Sequence, residues 1–163
     1  MASYYTKSAF ELELNQKEKA FALQVLTCAK DNDVKFRKSH KTAHERTYPS
    51  EVYRIAKKFV ASFDGLDESE DFYLPFEFCA TEDGILFKHD ENINTYAAAT
   101  FCHLILKHFS SDNYVCIEAA HTCSSDRTDG FGGHAAFITK KCIKWMSTRQ
   151  WMHENIVKHR KAA

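Results

Sequence analysis

Cys102, His103, His108, Cys116, His121, Cys123 and His134 crowd thiols and imidazoles into one stretch of the chain. Side chains of these types act as metal ligands, as nucleophiles and as general bases. Their spacing does not describe a metal site, because no Cys-x-x-Cys pair exists and Cys102 falls on the core face of its helix. Strand alternation sends Cys116 and His121 to opposite faces. No metal and no cofactor is assigned. One arrangement fits covalent chemistry: Cys123 as nucleophile, His121 or His134 as its base, and Asp126 as the orienting carboxylate. It requires the strands that carry His121 and His134 to be neighbours. The corresponding activity would be hydrolysis or group transfer.

Three further motifs bear on function. His40 and His44 are four apart and share a face if their segment is helical, but no Glu follows the first His to complete a His-Glu-x-x-His hydrolase, so no metal is assigned there either. Thr128-Asp-Gly-Phe-Gly-Gly133 has the glycines of a phosphate loop, yet it precedes a strand instead of opening a helix. Its glycines are read as supplying positive φ and close backbone approach. Arg127, with Asp126 and Asp129, makes this loop the strongest candidate for a binding surface. Lys35, Arg37, Lys38, Lys41 and Arg46 form a basic connector that offers a second contact surface, for nucleic acid or an acidic protein. Phe36 is its only aromatic, so it lacks the stacking platform of a single-strand binder.

The elements that position these residues follow from hydrophobic period. Phe10, Leu12 and Leu14 alternate with glutamates as in a half-buried strand. Asn15, with Glu18 three residues on, caps a helix of about 15 residues bearing Phe21, Val25 and Cys28. Pro49 opens a second helix whose apolar residues run from Val52 to Phe63. An acidic connection over 64–71 leads to strands at 72–80 and 85–88 joined by a turn at Glu82, Asp83 and Gly84, with Pro75 placing the first at an edge or bulge. Asn94 caps a third helix with Ala98, Phe101, Cys102, Ile105 and Phe109 inward. Strands follow at 114–121 and 134–139, flanking a polar loop over 122–133, and short helical pieces lie around Trp145 and Trp151. The class is α+β: a mainly antiparallel sheet with helices packed on one face. Residues 1–163 form one domain with a helical end from about residue 140.

Composition narrows the classes further. With 44% hydrophobic residues the chain is too apolar to be disordered, and a formal net charge of zero gives no overall field to recruit nucleic acid or membrane. No segment approaches the about 18 apolar residues that span a bilayer, and the first residues hold no run of signal-peptide length. Scattered single cysteines inside apolar patterns read as reduced thiols. The expected compartment is the cytoplasm.

Three segments carry a resemblance: Glu118-Ala-Ala-His-Thr-Cys-Ser-Ser-Asp-Arg127, Phe131-Gly-Gly-His-Ala-Ala-Phe-Ile-Thr139 and Trp145-Met-Ser-Thr-Arg-Gln-Trp151. Their order resembles a family of uncharacterised small proteins carried by bacteriophages, prophages and mobile elements of proteobacteria. It covers about half of the chain, from roughly Phe76 to Trp151. His134 departs from it, standing where a small residue is expected after the glycines. The resemblance implies an accessory role in a bacterial cytoplasm and assigns no catalytic residue. The expected function is therefore a non-catalytic protein that binds and modulates a larger cytoplasmic partner, with host defence systems among the candidates. The alternative is the small cysteine-dependent hydrolase or transferase.

Overall fold

The computed structural model describes residues 3–37, 48–62, 74, 76–125, 127–128 and 130–162. The elements are β1 (Tyr4–Glu13), α1 (Gln16–Arg37), α2 (Ser50–Val60), β2 (Glu77–Ala80), β3 (Gly84–His89), α3 (Thr95–His108), β4 (Val115–Cys123), β5 (Gly132–Ile138), β6 (Ile143–Ser147) and α4 (Thr148–Ala162). The strands make one six-stranded sheet in the order β2-β3-β1-β4-β5-β6, and every neighbouring pair is antiparallel. The chain is thus α+β.

Alternation decides which face is covered. Register pairs Phe10 with Phe87, Leu12 with Ile85, Ile117 with Ala136 and Val115 with Ile138, and all eight side chains are buried. Val25 and Leu26 of α1, Val52, Ile55 and Phe59 of α2, and Ala98, Phe101 and Ile105 of α3 close over that face. Phe59, Phe87 and Phe101 are fully buried at its centre, with the Phe101 ring in contact with each of the other two. Each contributes about 2–3 kcal/mol of apolar transfer. The residues between them, such as Ala9, Glu11, Cys116, Glu118 and Ala120, face solvent on the other side.

The expected caps are present. Asn15 Oδ1 accepts from the amides of Lys17 and Glu18 while Glu18 returns a carboxylate to the Asn15 amide, a reciprocal capping box. Asn94 accepts from the Ala97 amide at the start of α3. Lys19, buried on α1, donates its Nζ to the carbonyls of Thr81 and Glu82 at 2.6 and 2.9 Å, which fixes the helix to the β2–β3 turn.

Several boundaries differ from the sequence reading. Helix α1 is longer than expected and continues through Lys35 to Arg37, because no Gly or Pro interrupts it after Asn15. The first hairpin strand is shorter and starts at Glu77. Strands β4 and β5 extend to Cys123 and back to Gly132, shortening the loop between them. Trp145 is not helical: Ile143 and Trp145 turn to the covered face while Lys144 and Met146 turn away, giving β6. The exposed Met146 hides that period in the sequence. Helix begins only at Thr148, where Ser147 Oγ accepts from the Gln150 amide. His40, His44, Lys38, Lys41, Arg46, Phe63, the acidic run and Pro75 lie outside the described residues.

Gly84 is the tightest point of the β1–β3 pairing. A Cβ there would stand 2.0 Å from the Leu12 carbonyl oxygen, whereas a Cβ on Gly132 meets only the Thr148 hydroxyl, at 3.2 Å. Gly84→Ala is therefore expected to cost about 2–3 kcal/mol and Gly132→Ala under about 1 kcal/mol, measured by urea unfolding. Equal losses would contradict this packing.

Candidate functional site

Cover by helices runs out where β4 and β5 end, and there the covered face carries polar side chains. Register sets Ala119 opposite His134 and His121 opposite Gly132. His121 and His134 are thus diagonal neighbours on one face of adjacent strands, close enough for long side chains to meet. Gly132 has no side chain to keep them apart. His121 Nε2 lies 2.5 Å from His134 Nδ1, and His134 Nε2 lies 2.6 Å from Thr95 Oγ1. Thr95 is the first residue of α3, 2% exposed, and held in place by the Asn94 cap beside it.

The chain Thr95–His134–His121 has an electrostatic consequence. Both nitrogens of His134 are engaged, and a neutral imidazole offers one donor and one acceptor. Either Thr95 donates to His134 and His134 donates to His121, or all bonds point the other way. A proton arriving at His121 can reverse the whole chain. A second proton would set two N–H groups against each other. Burial, and then the charge of His121, hold the His134 pKa below the ordinary imidazole value. The arrangement can accept and hand on one proton, with His121 as its exposed end.

A cavity of about 260 Å³ opens beside this pair. Tyr4, Tyr96, Phe131, Ser147, Thr148 and Arg149 line it with the two histidines and the glycines of the loop. Tyr4, Tyr96 and Phe131 are 55%, 65% and 54% exposed, so its rim is aromatic and open. Tyr96 stacks on Trp145 with ring centroids 4.3 Å apart. Thr148 Oγ1 accepts from the Gly133 amide and donates to the Gly133 carbonyl, which fixes the start of α4 against β5.

The residues expected from sequence are distributed unequally around this site. His121 and His134 meet, as the neighbouring strands require. Cys123 is half-buried on the same face, its Cβ packed against Gly130, and among the described residues no hydrogen bond joins its sulfur to either imidazole. Arg127 is exposed in the loop, outside the cavity lining, and its carbonyl accepts from the Gly130 amide. Asp126 and Asp129 lie outside the described residues. Lys35 and Arg37 stand in the last turn of α1. Gly130, Gly132 and Gly133 take no left-handed φ, contrary to the sequence reading; close approach is what Gly133 supplies, since a Cβ there would meet the Ala119 carbonyl at 2.8 Å.

The other thiols and imidazoles disperse. Cys102 is fully buried, and burial pushes its thiol far above the usual range. Cys116 faces the opposite side of the sheet. His103 Nδ1 bonds the Thr139 carbonyl, and His108 stacks on Phe21 at 4.5 Å. Among the described residues no group of three or more His, Cys, Asp or Glu could hold a metal ion. Sequence reasoning missed Thr95, Tyr4, Tyr96 and Thr148; only the Asn94 cap hinted that the next residue would be fixed. Compared with models of protein families, with curated proteins and with solved structures, the chain matches none.

Thr95→Val would leave a half-buried imidazole nitrogen without its partner and is expected to cost about 1–2 kcal/mol by denaturant unfolding. Because the His134 pKa is lowered in the fold, the unfolded chain binds that proton more readily. The contribution is fully present above the unfolded value of about 6.5 and is lost as pH falls toward the lowered folded value. Stability should therefore decline from pH 7 to pH 5. In His134→Gln that part of the decline should disappear, and an unchanged slope would contradict the assignment.

Proposed function

We propose that the protein acts by binding, as a non-catalytic accessory factor of a phage or mobile element that modulates a larger cytoplasmic partner. The observation that carries this reading is the aromatic rim. Tyr4, Tyr96 and Phe131 each expose more than half of their surface around one cavity. Tyrosine and phenylalanine are the types enriched in protein interfaces, and such anchors fill pockets on the partner. The polar groups at the cavity floor are taken up by one another, in the chain from Thr95 to His121. A host defence complex is a partner class that the resemblance to phage proteins supports. Arg127, on the exposed loop beside the rim, is assigned to the periphery of the same contact.

A second reading keeps the enzyme. Cys123 lies two residues from His121 on the same face of β4, the shared face that cysteine chemistry with an imidazole base requires. That reading requires the Cys123 thiol to alkylate far faster than the exposed Cys79 and Cys116 at neutral pH.

Retention of partners from a bacterial lysate tests the binding reading. The wild type is expected to retain a protein partner that Tyr96→Ala and Phe131→Ala each weaken by about 1–2 kcal/mol, roughly tenfold, and Arg127→Ala by less. Retention should be insensitive to salt. Steep loss with salt would instead assign the contact to nucleic acid through Lys35 to Arg46. Equal retention by wild type and both aromatic variants, with rapid selective alkylation of Cys123, would replace binding by cysteine chemistry.

A further inference from the structure

Helix α4 leaves the sheet at Thr148 and, of its residues through Lys161, only Val157 is even half-buried. Its sequence is nonetheless two-sided. Trp151, Met152 and Ile156 share one side of the helix, 58%, 48% and 50% exposed, with Asn155 and His159 between them, while Gln150, Glu154 and Lys161 lie on the opposite arc. A helix of this length is marginal in water without a surface against its apolar stripe.

The same chain holds a matching surface. On the other face of the sheet, Ala120, Gly133 and Ala135 form a floor of small residues beside Met146, 56% exposed, and Phe137, 41% exposed, follows Ala135 on the same face of β5. Tyr114, 62% exposed, packs on Phe137 at 5.4 Å. An antiparallel sheet with one solvated face ordinarily carries polar residues there. The hollow over this floor measures about 500 Å³, and Thr148, the first residue of α4, is part of its lining.

We propose that this surface is an interface between two copies of the chain, in which the apolar stripe of α4 from each copy lies in the small-residue hollow of the other. A two-fold arrangement covers both stripes and both hollows at once. Because α4 starts at the edge of its own hollow, the two helices cross next to the axis. Six large side chains per copy, each about half exposed, offer roughly 600 Å² of apolar surface if a whole side chain presents ~200 Å². The pair would bury about 1,200 Å², where stable interfaces begin. Lys7 and Glu118, of opposite charge, stand at the margin of the hollow.

Sedimentation of the full chain between about 1 and 200 µM reads this directly. The expected result is a monomer–dimer equilibrium, weakened at least tenfold by Trp151→Glu with Ile156→Glu and, independently, by Ala135→Arg in the hollow, with circular dichroism unchanged. The hollow variant keeps α4 intact, so the test does not depend on whether the helix variant stays folded. A monomer throughout the range overturns the proposal. So does a dimer that survives both changes. So does a monomer whose α4 instead binds vesicles containing phosphatidylserine, because the stripe would then serve a lipid surface.

Discussion

The fold depends on one constraint: an antiparallel sheet whose helices cover a single face. Once that is fixed, the parity of each residue along its strand decides its fate. Phe10, Leu12, Ile85, Phe87, Val115 and Ile117 share the parity that points into the helices and are buried. Where the cover ends, the same parity delivers His121, His134 and Ser147 to the lining of a cavity. The opposite parity leaves Ala120, Ala135, Phe137 and Met146 on the face away from the described helices of the core. Core, site and open face are three outcomes of one alternation.

His134 is where the constraint meets chemistry. It sits at the edge of the core, between a helix start and an exposed histidine, and both ring nitrogens have partners. Burial alone would disfavour its charge. The bond to Thr95 lets the neutral ring sit there without an unsatisfied nitrogen, and ties the position of β5 to that of α3. The stacked Tyr96 and Trp145 extend the same tie to β6. The aromatic rim above the Thr95–His134–His121 chain is the geometry on which the proposed binding rests.

Much of the fold was legible in the sequence because its signals are local. Asn15 with Glu18 and Asn94 announce helix starts that hold in space, and Phe10, Leu12 and Leu14 announce a strand by alternation alone. Trp145 was misread because Met146 beside it is also apolar, which erases the period of two that a half-buried strand would show. The meeting of His121 with His134 was legible only as a condition, since it requires knowing which strands pair. Thr95 was invisible: a threonine after a capping residue has no feature that foretells a bond to a residue far along the chain. Cys123 drew attention through its type, yet type says nothing about whether a thiol is bonded to an imidazole.

The direct measurement is a long-range proton–nitrogen correlation spectrum of the imidazoles across pH 5 to 8, with His121→Gln as reference. The account expects both nitrogens of His134 to show hydrogen-bonded shifts and His134 to stay neutral below the ordinary imidazole range. In His121→Gln, His134 should still resist protonation, because burial is the larger cause of its lowered pKa. A His134 that titrates as an independent site at the ordinary imidazole value, unchanged by His121→Gln, would contradict the site as described.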